Sequence, residues 1–180
     1  MRRNSQTSMA QSYASRLACE AFASIVKVLV LHCKSVREIN MTPMYKGGCL
    51  CGSVRYACAA KPVYAYFCHC LDCQKESGSP FVTELYVPKS SVELTGKTSR
   101  YTRTGDSGKS VHRNFCSTCG TVILTEFDVE PDNVSIKACS LDDPSWVTPN
   151  FHLYITRRQP WLKLSDGLPQ LEGDFDAPHP

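Results

Sequence analysis

The sequence predicts an all-β domain of short strands gathered around cysteine-bound metal, preceded by a segment of different character. Three observations lead there. From Tyr45 onward, short β-prone runs alternate with turn residues at the spacing of an all-β domain. Of the 11 cysteines, seven fall into three tight clusters. Residues 1–43 carry six bases against Glu20 and Glu38, a net +4, whereas residues 44–180 carry 14 bases and 15 acids, a net −1. The body is thus nearly neutral, which argues against a nucleic-acid binder with its basic face.

Residues 1–44 read as an N-terminal extension, helical or disordered. The first 19 residues hold Arg, Ser, Thr and Gln and no acid; Ala21 to Leu31 is then an apolar run broken by Lys27. That run is too short for a membrane span, which needs about 20 apolar residues. The readings are a transit peptide, a flexible or accessory helical extension or else an unused upstream reading with the true start at Met41 or Met44, and a secretory signal. A cytoplasmic location is expected, with a mitochondrial one if the segment is a transit peptide.

The domain is expected over residues 45–176, with 177–180 as a tail. Val54-Arg55-Tyr56 alternates, Val63 to Phe67 is apolar and aromatic, and Phe81 to Val87 ends at Pro88. Ser99 to Thr104, Ser110 to Phe115, Thr121 to Phe127 and Val134 to Cys139 follow as strands. Gly96, Gly105-Asp106, Gly120 and Pro131-Asp132-Asn133 separate them as turns. Asp142 to Pro149 reads as a loop, Phe151 to Ile155 as a further strand. The chain after Trp161, rich in Pro, Gly and Asp, is expected to wrap the surface.

The clusters are Cys49-Leu50-Cys51-Gly52, Cys68-His69-Cys70-Leu71-Asp72-Cys73 and Cys116-Ser117-Thr118-Cys119-Gly120. A C-x-x-C turn aims both sulfurs inward, and a following glycine supplies the positive φ such a knuckle needs. In C-x-C, alternate residues of an extended chain point the same way. Zn2+, redox-inert and content with tetrahedral sulfur, is the natural ion. Two ions per chain divide the ligands most economically: Cys49, Cys51, Cys116 and Cys119 close a structural site, and Cys68, Cys70 and Cys73 hold a second ion with a fourth position open. Cys58, Cys139 or His112 would turn that second site into a closed one. His69, between two ligands, is expected to point away from the metal as a supporting or packing residue. Cys19, Cys33, Cys58 and Cys139 lack paired spacing and read as small buried hydrophobes. A disulfide framework would leave an odd cysteine. Gly108-Lys109-Ser110 lacks the earlier glycine of a phosphate loop, because Arg103 stands there.

The stretches GGCLCGSVRY, CHCLDCQKESGSPF, RNFCSTCGT and DGLPQLEG together resemble the glutathione-dependent formaldehyde-activating enzyme family, which also includes centromere protein V. The resemblance runs from about Tyr45 to Asp174. It implies a β-tent of short antiparallel strands around a structural zinc, and the same division of ligands. It also implies a carbon–sulfur lyase: a glutathione-like thiol, activated on the Cys68, Cys70 and Cys73 zinc, adds reversibly to formaldehyde or another small aldehyde. Ser77, Gly78 and Ser79 would bind a carboxylate or the developing alkoxide. Lys75 and Arg113 are candidates to steer an anionic thiol. Gln74 stands where the family commonly has arginine and is expected to bear on which thiol is used. The alternative from another class is a zinc-stabilised binding module without turnover.

Overall fold

The structure is a computed structural model and describes residues 44–174. The N-terminal readings, Cys19, Cys33 and the tail at 177–180 lie outside those residues. The strands are β1 Tyr45–Gly48, β2 Arg55–Cys58, β3 Tyr64–Cys68, β4 Val82–Pro88, β5 Val92–Thr95, β6 Thr98–Thr104, β7 Ser110–Cys116, β8 Val122–Phe127, β9 Asn133–Lys137 and β10 Phe151–Leu153. One α-helix, α1, spans Leu71–Ser77. The strands form a three-stranded sheet in the order β1-β2-β5 and a seven-stranded sheet in the order β10-β3-β4-β9-β8-β7-β6. Every strand pair is antiparallel except β10 with β3. The parallel pair follows from its long return, which brings Phe151, His152 and Leu153 beside Tyr66, Phe67 and Cys68.

Two-residue alternation explains how the large sheet is used. In β4, Leu85 and Val87 face one way and Glu84 and Tyr86 the other; in β9, Val134 and Ile136 oppose Ser135 and Lys137. The first set joins Val54, Tyr56, Ile123 and Leu141 in an apolar core that also holds Cys49 and Cys116. The second face is polar and aromatic. There Tyr66, Tyr86, Val82, Phe151 and Leu153 pack with Cys68 and Cys73. Each cysteine centre is therefore anchored in its own buried cluster.

Several expected strands differ in extent. β9 ends at Lys137 and a 3-10 turn, Ala138–Ser140, follows instead of strand continuing to Cys139. β10 stops at Leu153, where Tyr154 takes a left-handed conformation with φ 56°. Past Trp161 the chain does return along the surface: it runs beside β10, with His152 N–H donating to Pro169 O at 2.8 Å and Leu171 N–H to His152 O at 2.8 Å. No helix among the described residues is long and apolar enough to cross a membrane.

Candidate metal centres

The four sulfurs of Cys49, Cys51, Cys116 and Cys119 lie within 4.8 Å of one another, although 65 residues separate Cys51 from Cys116. Two turns present them. Gly52 N–H donates to Cys49 O at 3.0 Å, and Gly120 N–H to Cys116 O at 3.0 Å. Both glycines sit at positive φ, 77° and 75°, which side chains strain to adopt. The first turn departs from the extended C-x-C geometry expected there. Gly52 permits a tight turn and both sulfurs still converge. Backbone N–H groups aim at sulfur: Val54 at Cys49 Sγ, 3.2 Å, and Thr118 at Cys116 Sγ, 3.4 Å. These donors favour thiolates, the form that binds metal. At Cys119 a hydrogen bond from the Thr121 side chain leads in pulling the thiol down to about 5. Desolvation pushes the Cys49 thiol up, but the Val54 N–H, Cys51 and Cys116 outweigh it and hold it at about 7.

The sulfurs of Cys68, Cys70 and Cys73 also converge within 4.8 Å. Cys68 ends β3, Cys70 is the N-cap of α1, and Cys73 lies one turn in. Cys70 Sγ accepts from Cys73 N–H at 3.3 Å, so the capping interaction and the convergence of sulfurs are the same contact. Gly78 closes the helix in a left-handed conformation, its N–H donating to Gln74 O at 2.9 Å. Hydrogen bonds from Cys68 and then Cys73 hold the Cys70 thiol far below its ordinary range. Among the described residues no fourth Cys, His, Asp or Glu joins this group. Cys58 is buried in the apolar core and faces Ser91, Cys139 is exposed, and His112 is bonded to Asp128 and Thr102. The donor sets, four soft sulfurs and three, suit zinc in both places.

A buried ion network backs the second centre. Lys137 bridges Glu76 of α1 and Glu84 of β4, and Arg113 pairs with Glu76 and, at 3.3 Å, with Asp72. Tyr66 OH donates to Glu84 Oε2 at 2.6 Å and meets Ser135 Oγ at 2.7 Å. Burial alone would depress Lys137; Glu84, Cys73 and Glu76 outweigh it and keep the amine charged. Arg113 is thus enclosed among carboxylates beneath α1 rather than presented to solvent. Lys75, by contrast, is exposed.

A second support runs through imidazoles. His69 is fully buried, as expected of a residue turned away from the metal. Its Nε2 stands 2.9 Å from His152 Nδ1, and His152 Nε2 stands 3.0 Å from Asp166 Oδ2. Phe67 and Phe81 pack around the two rings. Burial, then the neighbouring His152, pulls His69 down to about 4, so it is neutral near pH 7.

Gln74 is held by three hydrogen bonds. Its Nε2 donates to His69 O at 2.5 Å and Arg157 O at 2.9 Å, and its Oε1 accepts from Gln159 at 2.5 Å. Ser77 Oγ donates to Cys73 O at 2.7 Å and accepts from Ser79 N–H at 3.2 Å. Gln74 and Gln159, with Lys75, Gly78, Ser79 and Trp161, line an open pocket of about 300 Å³ beside α1. His152 and Gln159 had no local signal in the sequence, because their partners lie 83 and 85 residues away; Asp166 opens the DGLPQLEG stretch, but nothing there pointed to His152.

Fold and site together define a small all-β protein with two cysteine centres fit for metal. A family model described as glutathione-dependent formaldehyde-activating enzyme matches residues 44–157, and the chain belongs to that family. An uncharacterized lyase of Schizosaccharomyces pombe is 30% identical over 81 residues, 45% of this chain and 56% of its own length. The chain thus matches little more than half of that relative. A crystal structure of a Rhodobacter sphaeroides protein is 21% identical, with a TM-score of 0.45, covering 58% of this chain and 91% of that one.

Proposed function

We propose that the protein is a carbon–sulfur lyase that joins a glutathione-like thiol to formaldehyde or another small aldehyde at the three-cysteine centre, with a second zinc held structurally by the four cysteines. The observation that carries this reading is the inequality of the two centres. One gathers four sulfurs. The other gathers three, with no further Cys, His, Asp or Glu beside them among the described residues. Three protein ligands with an open position is the pattern of zinc sites that act on a substrate, four that of sites that hold a fold.

Zinc bound there would lower the pKa of a thiol and supply thiolate at neutral pH. A new S–C bond then forms as the aldehyde C=O π bond breaks. The thiol proton goes to solvent, and the carbonyl oxygen takes one from solvent to give an S-hydroxymethyl product. The reverse reaction breaks the same S–C bond. The chain's residues position these events. Cys68, Cys70 and Cys73 hold the metal. The buried network of Arg113, Lys137, Glu76 and Glu84 fixes α1 from behind. The Ser77-Gly78-Ser79 loop, with Lys75 at the pocket rim, offers the Ser79 hydroxyl and a positive charge to a carboxylate of the thiol.

The test begins with metal analysis of the purified protein. Glutathione and formaldehyde are then mixed with it, and their interconversion with S-hydroxymethylglutathione is followed by NMR exchange spectroscopy. Two zincs and accelerated exchange support the reading. Two zincs without acceleration over the uncatalysed reaction overturn the lyase assignment and leave a zinc-stabilised binding module.

A further inference from the structure

The three-cysteine loop is held from outside its own stretch of chain. The return segment after β10 reaches it by two separate hydrogen-bonded routes. One begins at Asp166. Its Oδ1 accepts from Leu168 N–H at 3.2 Å, which forms a local turn, while Oδ2 faces His152 Nε2 at 3.0 Å. A carboxylate only accepts, so His152 donates through Nε2. The other nitrogen of His152 meets His69 Nε2 at 2.9 Å. His69 sits between Cys68 and Cys70, so what holds His69 in place also holds the backbone that carries both cysteines. Its own backbone N–H donates to Leu153 O at 3.0 Å, beside His152. The second route begins at Gln159, which donates to Gln74 Oε1; Gln74 in turn holds His69 O and Arg157 O. His69 is therefore gripped at its ring and N–H by β10 and at its C=O by α1, and Asp166 and Gln159 back those partners.

We propose that Asp166 is a positioning residue of the three-cysteine centre, acting through His152 and His69 to fix where Cys68 and Cys70 present their sulfurs, with Gln159 and Gln74 as a second brace. The inference rests on the reading that these cysteines hold a metal, but not on any turnover there. It extends the centre to the DGLPQLEG stretch, beyond residue 157 where the family-model match ends. Partners that orient metal ligands from outside the first coordination sphere commonly alter affinity by about 10–100-fold when removed. Asp166 suits a test because its side chain is 38% exposed and its loss opens no cavity in the core.

The experiment measures zinc affinity by competition with a chromophoric chelator on the full chain, in wild type, Asp166→Ala and Asp166→Asn. Asn keeps an oxygen for Leu168 N–H but offers His152 an N–H in place of an acceptor. Cys73→Ser, which retains the four-cysteine centre, identifies which affinity belongs to which site. Cobalt substituted for zinc reports ligand geometry through its absorption bands. Both Asp166 variants are expected to bind at the three-cysteine centre about tenfold or more weakly, with shifted cobalt bands there, and the four-cysteine centre is expected to be unchanged. The proposal is overturned if both variants keep wild-type affinity, or if both centres weaken equally. It is also overturned if only Asp166→Ala weakens binding, which would assign the effect to the Leu168 turn. Wild type binding two zincs without aldehyde exchange would sink the lyase reading and leave this test intact. Exchange in wild type with undiminished zinc affinity in the variants would do the reverse.

Discussion

At the four-cysteine centre the sulfurs are held by two glycine-closed turns and by backbone N–H groups, on the apolar side of the large sheet. At the three-cysteine centre they stand on a strand end and a two-turn helix, and the surroundings are costly. Two ion pairs on a buried lysine, an enclosed arginine and two stacked, fully buried histidines lie behind three thiols. Buried charges pay a desolvation penalty and add little net stability over apolar packing. The first centre ties distant chain segments together. The second is backed by buried charges and imidazoles that the first does without. The difference in supporting chemistry thus runs parallel to the difference in ligand number.

The sharpest way to break this comparison is to remove one ligand from each centre. Cys116→Ser is expected to abolish cooperative unfolding near 25 °C, because structural zinc is worth about 10–16 kcal/mol of folding energy. Cys73→Ser should lose one zinc and keep a cooperative thermal transition by circular dichroism. Equal loss of structure in both would make the second centre structural too. Next in size is Lys137→Met, which leaves Glu76 and Glu84 buried without their shared cation. It should destabilise by about 3–5 kcal/mol in urea unfolding while zinc at the four cysteines is retained. A change below 1 kcal/mol would show that the network is not the brace described. Gln74→Leu, which frees the carbonyls of His69 and Arg157, should cost about 1–3 kcal/mol by the same measurement.

The smallest effect is in pH dependence. Burial works against ionisation of Glu126, but Lys89, Asn114 and Arg100 outweigh it and hold its carboxyl below the usual range. Its ionised form therefore stabilises the fold above the unfolded-state value near 4.5, and that contribution disappears as pH falls through the lower folded value. Glu126→Gln should flatten the loss of stability below about pH 4.5 and leave metal content untouched. An unchanged acid limb would remove Glu126 from the account.

The parts of this molecule legible in the sequence are those governed by near neighbours. β-Branched and aromatic runs marked β3, β4 and β6 to β9, and cysteine spacing marked both ligand groups. β1 escaped because Tyr45–Gly48 ends in two glycines, and β5 because Val92–Thr95 is four residues with little burial. α1 escaped because seven residues are too few to show an apolar period; its ends are set by Cys70 and Gly78, which the sequence offers as a ligand and a loop glycine. Gln74 shows the limit most clearly. Its place beside Cys73 marks it in the sequence, but its partners Arg157 and Gln159, 83 and 85 residues away, leave no mark there.

The parallel pairing of β10 with β3 also has a consequence for synthesis. Phe151, His152 and Leu153 meet partners about 85 residues earlier, and the return segment then lies against β10 as far as Gly173. Contacts so distant along the chain form late, after the loop between them has been closed at an entropic cost. Cys68, Cys70 and Cys73 leave the ribosome well before the residues that frame them. During that interval three neighbouring thiols are present without His152 or Asp166, so the three-cysteine centre is complete only once almost the whole domain has been made.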